Sequence, residues 1–328
     1  MEYIKLPYYT ARKDDLKITP IYRDETLLHE LETKSAGARS LPDVDTYYTT
    51  PVVFPKPGNE RPYILSSIVL SADGKMAYMD NPEGPVIASA NALDPDGAVS
   101  DFWCLNMLRS SSDAILVGAN TIRKEPNALM TCMETELYRQ RKEVLGKYCQ
   151  PVQIIVSLDG TDIPLEHPTF HIDPAEETRV LIATSPVGWK HLKANSPLKH
   201  TLYGPITTRE EADTCVLPAL DREYDVFPVL VTGEGKEPDM HLMLRLLRRM
   251  GIETVCAESP AYCGALMENG CLDEYFINYS MVYVGGVCTP GHLFPQRSMD
   301  HPHADLVSVG IHHRNFLFTR QKITYGVK

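Results

Sequence analysis

Short apolar runs rich in β-branched residues recur along this chain, and each is stopped by glycine, serine, aspartate or proline. Runs of this kind are typical of strands that are buried on both faces of a sheet. They predict strands at residues 63–70, 114–117, 152–156, 180–184, 229–232, 252–257 and 272–284.

Helical patterns lie between these runs. Residues 101–108 carry apolar side chains at helical spacing, and residues 134–148 form a charged helical stretch. Serine followed by proline, at Ser185 and again at Ser259, predicts two helix N-termini, because serine caps a helix whose first residue is proline. A further helix is predicted to start at Asp239.

Strands that alternate with helices predict an α/β fold, in which a mostly parallel sheet has helices on both faces. Two alternating runs near the end of the chain, at 306–309 and 315–319, predict an antiparallel C-terminal edge. Parallel strands place ligands at their carboxyl ends, which are residues 71–75 and 118–125 here. Residues 196–225 show weak periodicity and support no prediction.

The first sixty residues carry no recognisable motif, unlike the rest of the chain. We therefore expect an N-terminal extension at 1–60 and one domain at 61–328. A short helix is predicted at 25–32. Four prolines between positions 42 and 57 predict an otherwise extended strap, across the domain or a neighbouring subunit. The stretch 79–98 is rich in glycine, proline, asparagine and aspartate, which predicts a long loop in the wall of a cleft.

Composition narrows the function. The net charge of -11 opposes a phosphate backbone, so nucleic acid is not an expected partner. The chain has no apolar run long enough to span a bilayer and no secretory signal, so no membrane association is expected. Its eight cysteines show no Cys-x-x-Cys spacing, which predicts free thiols and a cytoplasmic location.

The strongest chemical signal is Glu258-Ser-Pro, directly after a predicted buried strand. A helix that starts here presents unpaired amides and the positive end of its dipole, which suit a pyrophosphate or a 2′-phosphate. An ordinary capped helix is the alternative interpretation. No metal site is predicted, because the sequence shows no cysteine or carboxylate at ligand spacing from His301, His303, His312 or His313.

The segments Ser71-Ala-Asp-Gly-Lys, Asp113-Ala-Ile-Leu-Val-Gly-Ala-Asn-Thr and Leu272-Asp-Glu carry a family resemblance. Over roughly residues 61 to 290, the chain resembles the reductase domain of the bacterial bifunctional deaminase/reductase of riboflavin biosynthesis. The resemblance implies a dihydrofolate reductase-like fold, NADPH as cofactor, a ribosylaminopyrimidine-type small-molecule substrate, and a homodimer formed through the C-terminal strands. Zinc-dependent deamination is not implied, since the sequence lacks His-x-Glu followed by Pro-Cys-x-x-Cys.

The resemblance also implies roles for individual residues. Arg109 would meet the substrate phosphate, Leu129 would form an apolar wall, and Glu258 would contact the pyrimidine. Asp73 would lie beside the nicotinamide as the candidate catalytic residue, with water as the other proton source, although a carboxylate in such a turn often bonds only its own backbone. The implied cofactor contacts are Val69, Thr121, Glu125, Ser157, Ser259, Pro260, Ala261, Tyr262, Cys263, Gly264, Ala265 and Leu266.

Some positions depart from the family pattern. Ser67 and Cys132 replace a lysine and an arginine near the substrate, and Ser259-Pro260 replaces two glycines. The loss of two cations weakens the case for a phosphorylated ribose, since each charge-assisted bond contributes about 1.5 to 3 kcal/mol. Two alternatives therefore stay open. One is a family paralogue that reduces a pterin or an imine, and the other is a nucleotide-binding protein that has lost catalysis.

Overall fold

A mixed sheet of eleven strands forms the centre of the computed structural model, which describes residues 3–218, 220, 226–291 and 293–327. Across the sheet the strand order is β1-β10-β11-β9-β2-β8-β3-β4-β5-β7-β6. In chain order the strands are β1 (Ile18–Arg23), β2 (Tyr63–Ser71), β3 (Ala114–Gly118), β4 (Val152–Ser157), β5 (Val180–Thr184), β6 (Lys199–Ile206), β7 (Val226–Thr232), β8 (Thr254–Ala257), β9 (Glu274–Ser280), β10 (His303–His312) and β11 (Phe316–Thr324).

The strands from β9 to β6 in this order are all parallel, whereas β11, β10 and β1 add an antiparallel edge. Residues 114–117 of β3 and all of β5 are buried, because helices cover both faces of a parallel sheet. The predicted α/β fold, with its mostly parallel sheet and antiparallel C-terminal edge, is confirmed.

Helices pack on both faces of the sheet. Ile64 of β2 contacts the cluster that contains Leu246 and Leu266, whereas its neighbour Leu65 belongs to the cluster around Trp103. Successive strand residues point to opposite faces, so these clusters lie on the two sides. The helices are α1 (Glu25–Lys34), α2 (Pro42–Tyr47), α3 (Val86–Ser89), α4 (Pro95–Ser111), α5 (Ala119–Lys124), α6 (Thr135–Leu145), α7 (Pro186–Asn195), α8 (Arg209–Thr214), α9 (Met240–Arg249) and α10 (Pro260–Glu268).

Several predicted boundaries needed correction. Helix α4 begins at Pro95 rather than near residue 101, because the side chain of Asp94 accepts a hydrogen bond from the Gly97 amide and caps it. The predicted loop at 79–98 therefore contains α3 and the first turn of α4. The predicted cap at Ser185 is confirmed, since its side chain accepts a hydrogen bond from the Gly188 amide. The helix predicted to start at Asp239 is confirmed as α9, and the Asp239 side chain caps it by accepting from the Leu242 amide.

The N-terminal extension packs against the same sheet. Strand β1 pairs with β10 and so covers that strand's outer edge. The predicted helix at 25–32 is confirmed as α1, but the prediction of extended chain elsewhere is wrong at Pro42, which begins α2. Arg320 of β11 ties the strap to the sheet, because its guanidinium donates to the carbonyls of Pro51 and Val53, both at 3.0 Å.

Two predictions from composition concern the whole chain. Among the described residues, no helix is long and apolar enough to cross a membrane. The eight cysteines are free thiols, as predicted. Burial raises the pKa of Cys132 to about 11, so this thiol keeps its proton at neutral pH.

Candidate active site

A cavity of about 600 Å³ opens at the carboxyl ends of β2, β8 and β3, which are neighbours in the sheet. Parallel strands end at the same edge of a sheet, so the residues that follow them meet there. Glu258 follows β8, and Thr121 lies in α5 directly after β3. The cavity wall thereby brings together these predicted site residues: Val69, Arg109, Thr121, Glu125, Leu129, Glu258 and Pro260.

Arg109 and Glu258 form a two-point ion pair in the cavity wall. The Nε and Nη2 atoms of Arg109 donate to the two carboxylate oxygens of Glu258, at 2.8 and 2.7 Å. The Nη1 atom donates to the carbonyls of Leu129 and Thr131, and Nη2 also contacts the sulfur of Met130. Burial opposes the charge on Arg109, but the carboxylate of Glu258 outweighs it and raises the pKa of the guanidinium.

The ion pair bears on both predicted substrate contacts. The side chains of Arg109 and Glu258 are only 4% and 7% exposed, and every N–H of the guanidinium points at a protein acceptor. A substrate that bound either residue would have to compete with this pair. Contact between Arg109 and a phosphate, and between Glu258 and a pyrimidine, therefore stays a prediction.

Asp101 is a cavity residue that the sequence analysis did not identify. It lies on α4 two turns before Arg109, and its Oδ1 accepts a hydrogen bond from Nδ2 of Asn278 in β9, at 2.8 Å. Burial raises the pKa of Asp101 to about 6, although the bond from Asn278 acts in the opposite direction. Helical spacing could have found it, since Asp101, Leu105 and Arg109 recur every four residues on one face.

The start of α10 meets the cavity at Pro260. The Ser259 hydroxyl makes no capping bond there. It instead forms a hydrogen bond with the Thr121 hydroxyl, with the two oxygens 2.9 Å apart. Proline has no N–H, so the first amides of the helix are those of Ala261 and Tyr262, which have no acceptor within the helix. These amides are the groups that this helix can offer to an anion.

Other predicted contacts in α10 do not line the cavity. Cys263 and Leu266 are buried in the core, and the Cys263 sulfur lies 2.9 Å from the hydroxyl of Ser66. Gly264 is covered by Phe294, whose ring would lie 2.6 Å from a Cβ at that glycine. Neither these residues nor Ala265 line the cavity, so cofactor contacts from them stay a prediction.

Asp73 and Ser157 lie at the ends of strands β2 and β4, and neither lines the cavity. The Asp73 carboxylate accepts hydrogen bonds from the Ser71 hydroxyl at 2.6 Å and from the amides of Val284 and Gly285. The Ser71 bond is the main cause that lowers the pKa of Asp73 to about 2, so Asp73 holds no proton at neutral pH. Its catalytic role stays a prediction. In this geometry the carboxylate joins its own turn to the segment that follows β9, rather than bonding its own turn alone. The Ser157 hydroxyl likewise serves its turn, where it accepts from the Gly160 amide.

The N-terminal extension contributes to the cavity through Tyr9, which the sequence analysis also missed. The Tyr9 ring stacks on Phe102 of α4, with ring centroids 5.3 Å apart. Its backbone is fixed by hydrogen bonds with Met133 and Thr135. A segment with no recognisable motif thus forms part of the wall, and no local signal in the sequence indicates this.

A second cluster of polar side chains lies away from the cavity. Within the described residues, Asp94, His312 and His313 are close enough to share a cation. Both ring nitrogens of His312 already face protein acceptors, the carboxylate of Asp94 at 2.9 Å and the carbonyl of Asp15 at 3.0 Å. His312 is therefore placed to tie α4 to the antiparallel edge of the sheet.

Comparison with known proteins places the chain in a family. The family model of the RibD C-terminal domain matches residues 62–312. This chain belongs to the RibD C-terminal domain family. The resemblance predicted from residues 71–75 and 113–121 is thereby confirmed. No curated protein matches this RibD C-terminal domain protein in sequence.

Solved structures share the fold of this RibD C-terminal domain protein. Acinetobacter baumannii RibD is 17% identical with a TM-score of 0.50, and the match covers 81% of this chain and 58% of that one. A deaminase/5-amino-6-(5-phosphoribosylamino)uracil reductase from Thermotoga maritima is 18% identical with a TM-score of 0.52, and the match covers 81% and 57%. A pyrimidine reductase-like protein from Corynebacterium diphtheriae is 18% identical with a TM-score of 0.57, and the match covers 81% and 93%.

The present chain thus corresponds to less than two-thirds of the length of the first two relatives. At these identities the likeness shows the fold alone, and the predicted dihydrofolate reductase-like fold is confirmed.

The structure also locates the departures from the family pattern. Ser67 lines the cavity as an uncharged side chain. Cys132 is fully buried, and its sulfur lies 2.7 Å from the hydroxyl of Ser110. Neither residue of this RibD C-terminal domain protein brings a positive charge to the cavity.

Proposed function

We propose that this protein is an NADPH-dependent reductase of a small nitrogen-heterocyclic substrate. The observation that carries the proposal is that one cavity brings together the implied cofactor contacts Val69, Thr121, Glu125 and Pro260 and the implied substrate contact Leu129. Membership in the RibD C-terminal domain family, which is reductase-like, agrees with this assignment.

The residues present fit a nicotinamide dinucleotide. The amides of Ala261 and Tyr262 at the start of α10 suit a phosphate group, because they lack helical partners and lie at the positive end of the helix dipole. Pro260 brings this helix end to the cavity, and Thr121 adds a hydroxyl beside it. NADPH supplies a hydride when it is bound, and the protein supplies alignment and a dry site.

The protein's own residues would position and shield the substrate. Leu105, Leu129, Met130 and Met133 line the cavity with apolar surface, which excludes water from the reacting groups. The Arg109–Glu258 ion pair joins α4 to the residue after β8 and so fixes two parts of the wall. A rigid wall maintains the orientation on which hydride transfer depends.

Fluorescence titration with NADPH and NADH tests the cofactor assignment. We expect NADPH to bind more tightly than NADH, because the family that the sequence resembles recognises the 2′-phosphate of NADPH. Thr121→Val should weaken NADPH binding by roughly 2- to 10-fold, the range for one neutral hydrogen bond. The matched control is Thr214→Val in α8, whose threonine is exposed and, within the part of the chain that the structure describes, donates its hydroxyl hydrogen bond to the carbonyl of Glu210. Equal dissociation constants for the two cofactors would contradict the NADPH preference.

A nucleotide-binding protein without catalysis is the second candidate, favoured by Ser259-Pro260 in place of two glycines. Proline removes one amide from the start of α10, and the Ser259 hydroxyl is engaged with Thr121. Turnover of a panel of pterins, cyclic imines and ribosylaminopyrimidines separates the two. NADPH oxidation with any of them supports the reductase, whereas binding of NADPH without turnover supports the second candidate.

A further inference from the structure

The charged side chains in the cavity wall are mostly acidic. The described lining residues include the carboxylates of Glu83, Asp101, Glu125 and Glu258, and Arg109 is their only lysine or arginine. Arg109 is neutralised by Glu258, and its remaining N–H groups donate to backbone carbonyls or contact a sulfur atom. The wall therefore presents negative charge and apolar surface to a ligand.

This charge distribution does not suit a substrate phosphate. A phosphate monoester carries close to two negative charges at neutral pH and is usually bound by arginine, lysine or a helix N-terminus. The amides at the start of α10 are the groups already assigned to the cofactor. Ser67 and Cys132 add no cation. A phosphate group on the substrate would therefore face carboxylates, with no free positive charge to balance its own charge.

Asp101 is the carboxylate best placed to recognise a substrate. Its Oδ1 is held by Asn278, and Oδ2 has no partner among the described residues. Asn278 pairs in register with Val69, itself a cavity residue, so the carboxylate is fixed against the sheet. A carboxylate that is desolvated in a cleft and lacks a cationic partner is a candidate for ligand binding.

The surroundings of Asp101 favour a flat ring. Phe102 and Leu105 of the same helix line the cavity, and Tyr9 stacks on Phe102 from the N-terminal extension. Aromatic faces attract both planar rings and cations. These wall residues and the carboxylate of Asp101 together suit a planar heterocycle that carries a positively charged nitrogen or a ring N–H.

We propose, on the basis of the reductase function above, that the substrate is an unphosphorylated nitrogen heterocycle whose protonated nitrogen or ring N–H is bound by the carboxylate of Asp101. The reduction of a protonated C=N bond balances without a further proton donor. The hydride adds to carbon, the π electrons become the lone pair on nitrogen, and a neutral amine remains. Asp101 then serves as the binding partner of the cation, and its ionised form is the active one.

Binding of matched probes to the 328-residue protein tests the proposal. The probes are 3,4-dihydroisoquinoline, a cyclic imine that takes up a proton, and 1,2-dihydronaphthalene, which has the same shape but no nitrogen. We expect the imine to bind at least tenfold more tightly at neutral pH, since a hydrogen bond to a charged group contributes about 1.5 to 3 kcal/mol, or roughly 10- to 150-fold. Asp101→Asn should abolish this difference and leave the affinity for the hydrocarbon unchanged.

Asp96→Asn is the matched control, because Asp96 lies on the same helix and does not line the cavity. It should bind both probes as the unaltered protein does. Three results would overturn the proposal: equal binding of the two probes, binding of neither, or tighter binding of 5-amino-6-(5-phosphoribosylamino)uracil than of the imine. The titrations need no cofactor. Failure to bind NADPH would therefore contradict the proposed function. The preference for the imine over the hydrocarbon is measured without NADPH and does not depend on that result.

Discussion

The Arg109–Glu258 pair predicts that Glu258→Gln destabilises the fold. The substitution preserves the shape of the side chain but removes its charge. The Arg109 guanidinium, only 4% exposed, is then left without a counter-charge. The glutamine also places an amide N–H₂ group against a guanidinium nitrogen that donates to Glu258 at present, so at least one of the two bonds at 2.7 and 2.8 Å is lost.

The size of the effect follows from the burial of the pair. Removal of one partner of a buried ion pair typically costs about 3 to 5 kcal/mol, because the other charge stays buried and uncompensated. Unfolding entropy is about 2.1 cal/mol/K per residue, which for 328 residues amounts to roughly 0.7 kcal/mol/K. The melting temperature should therefore fall by about 4 to 7 °C.

Thermal melts of matched variants test this value. The control is Glu253→Gln, whose glutamate is 48% exposed and lies 3.7 Å from Arg248. An exposed pair contributes at most about 1 kcal/mol, so this control should shift the melting temperature by less than about 1.5 °C. A double variant, Arg109→Gln with Glu258→Gln, should recover part of the loss, since no buried charge remains.

Two results would separate the structural role of Glu258 from the predicted contact with substrate. If Glu258→Gln melts within about 1.5 °C of the unaltered protein, as the exposed control should, the buried-pair reasoning is refuted. If turnover falls while the melting temperature and NADPH affinity stay unchanged, the contact with substrate is supported instead. A parallel loss of stability and cofactor binding indicates that the pair mainly holds the cavity wall together.

Three further predictions concern other parts of the molecule. Native Asp101 holds its proton up to a pKa of about 6 while an unfolded aspartate loses it near 3.8, so stability should fall as pH rises through that window. Asp101→Asn should remove this loss of stability and stabilise the protein at neutral pH by up to about 3 kcal/mol, as measured by denaturant unfolding at several pH values. A variant that is less stable than the unaltered protein at neutral pH would contradict this prediction. Tyr9→Ala, which removes the ring stacked on Phe102, should raise KM more than it lowers kcat, whereas Tyr9→Phe should change both little; equal effects of the two variants would argue against a role for the ring. The protein should form a homodimer, consistent with exposed Ile21 and Tyr22 on the outermost strand; light scattering that gives a monomer mass at micromolar concentration rules this out.

Much of the fold was accessible from the sequence because its signals are local. A buried parallel strand such as Val180–Thr184 is a continuous apolar run, and a cap such as Ser185 acts on an amide three residues away. The residues after β3 and β8 could be assigned to one site, since parallel strands end at a common edge. These rules need only the order of residues and the connection of strands through helices.

Tertiary structure decided which charges are available to a ligand. Arg109 and Glu258 are 149 residues apart, and Asp101 and Asn278 are 177 apart, so no local pattern reveals that the first pair neutralises itself while Asp101 faces the cavity. The same holds for Tyr9, whose position depends on its contacts with distant residues. The local rules that the sequence follows identify strands, caps and the edge of the sheet where a ligand binds. Charge pairing depends on which distant residues the complete fold brings into contact, because electrostatic interactions act through space and depend on burial.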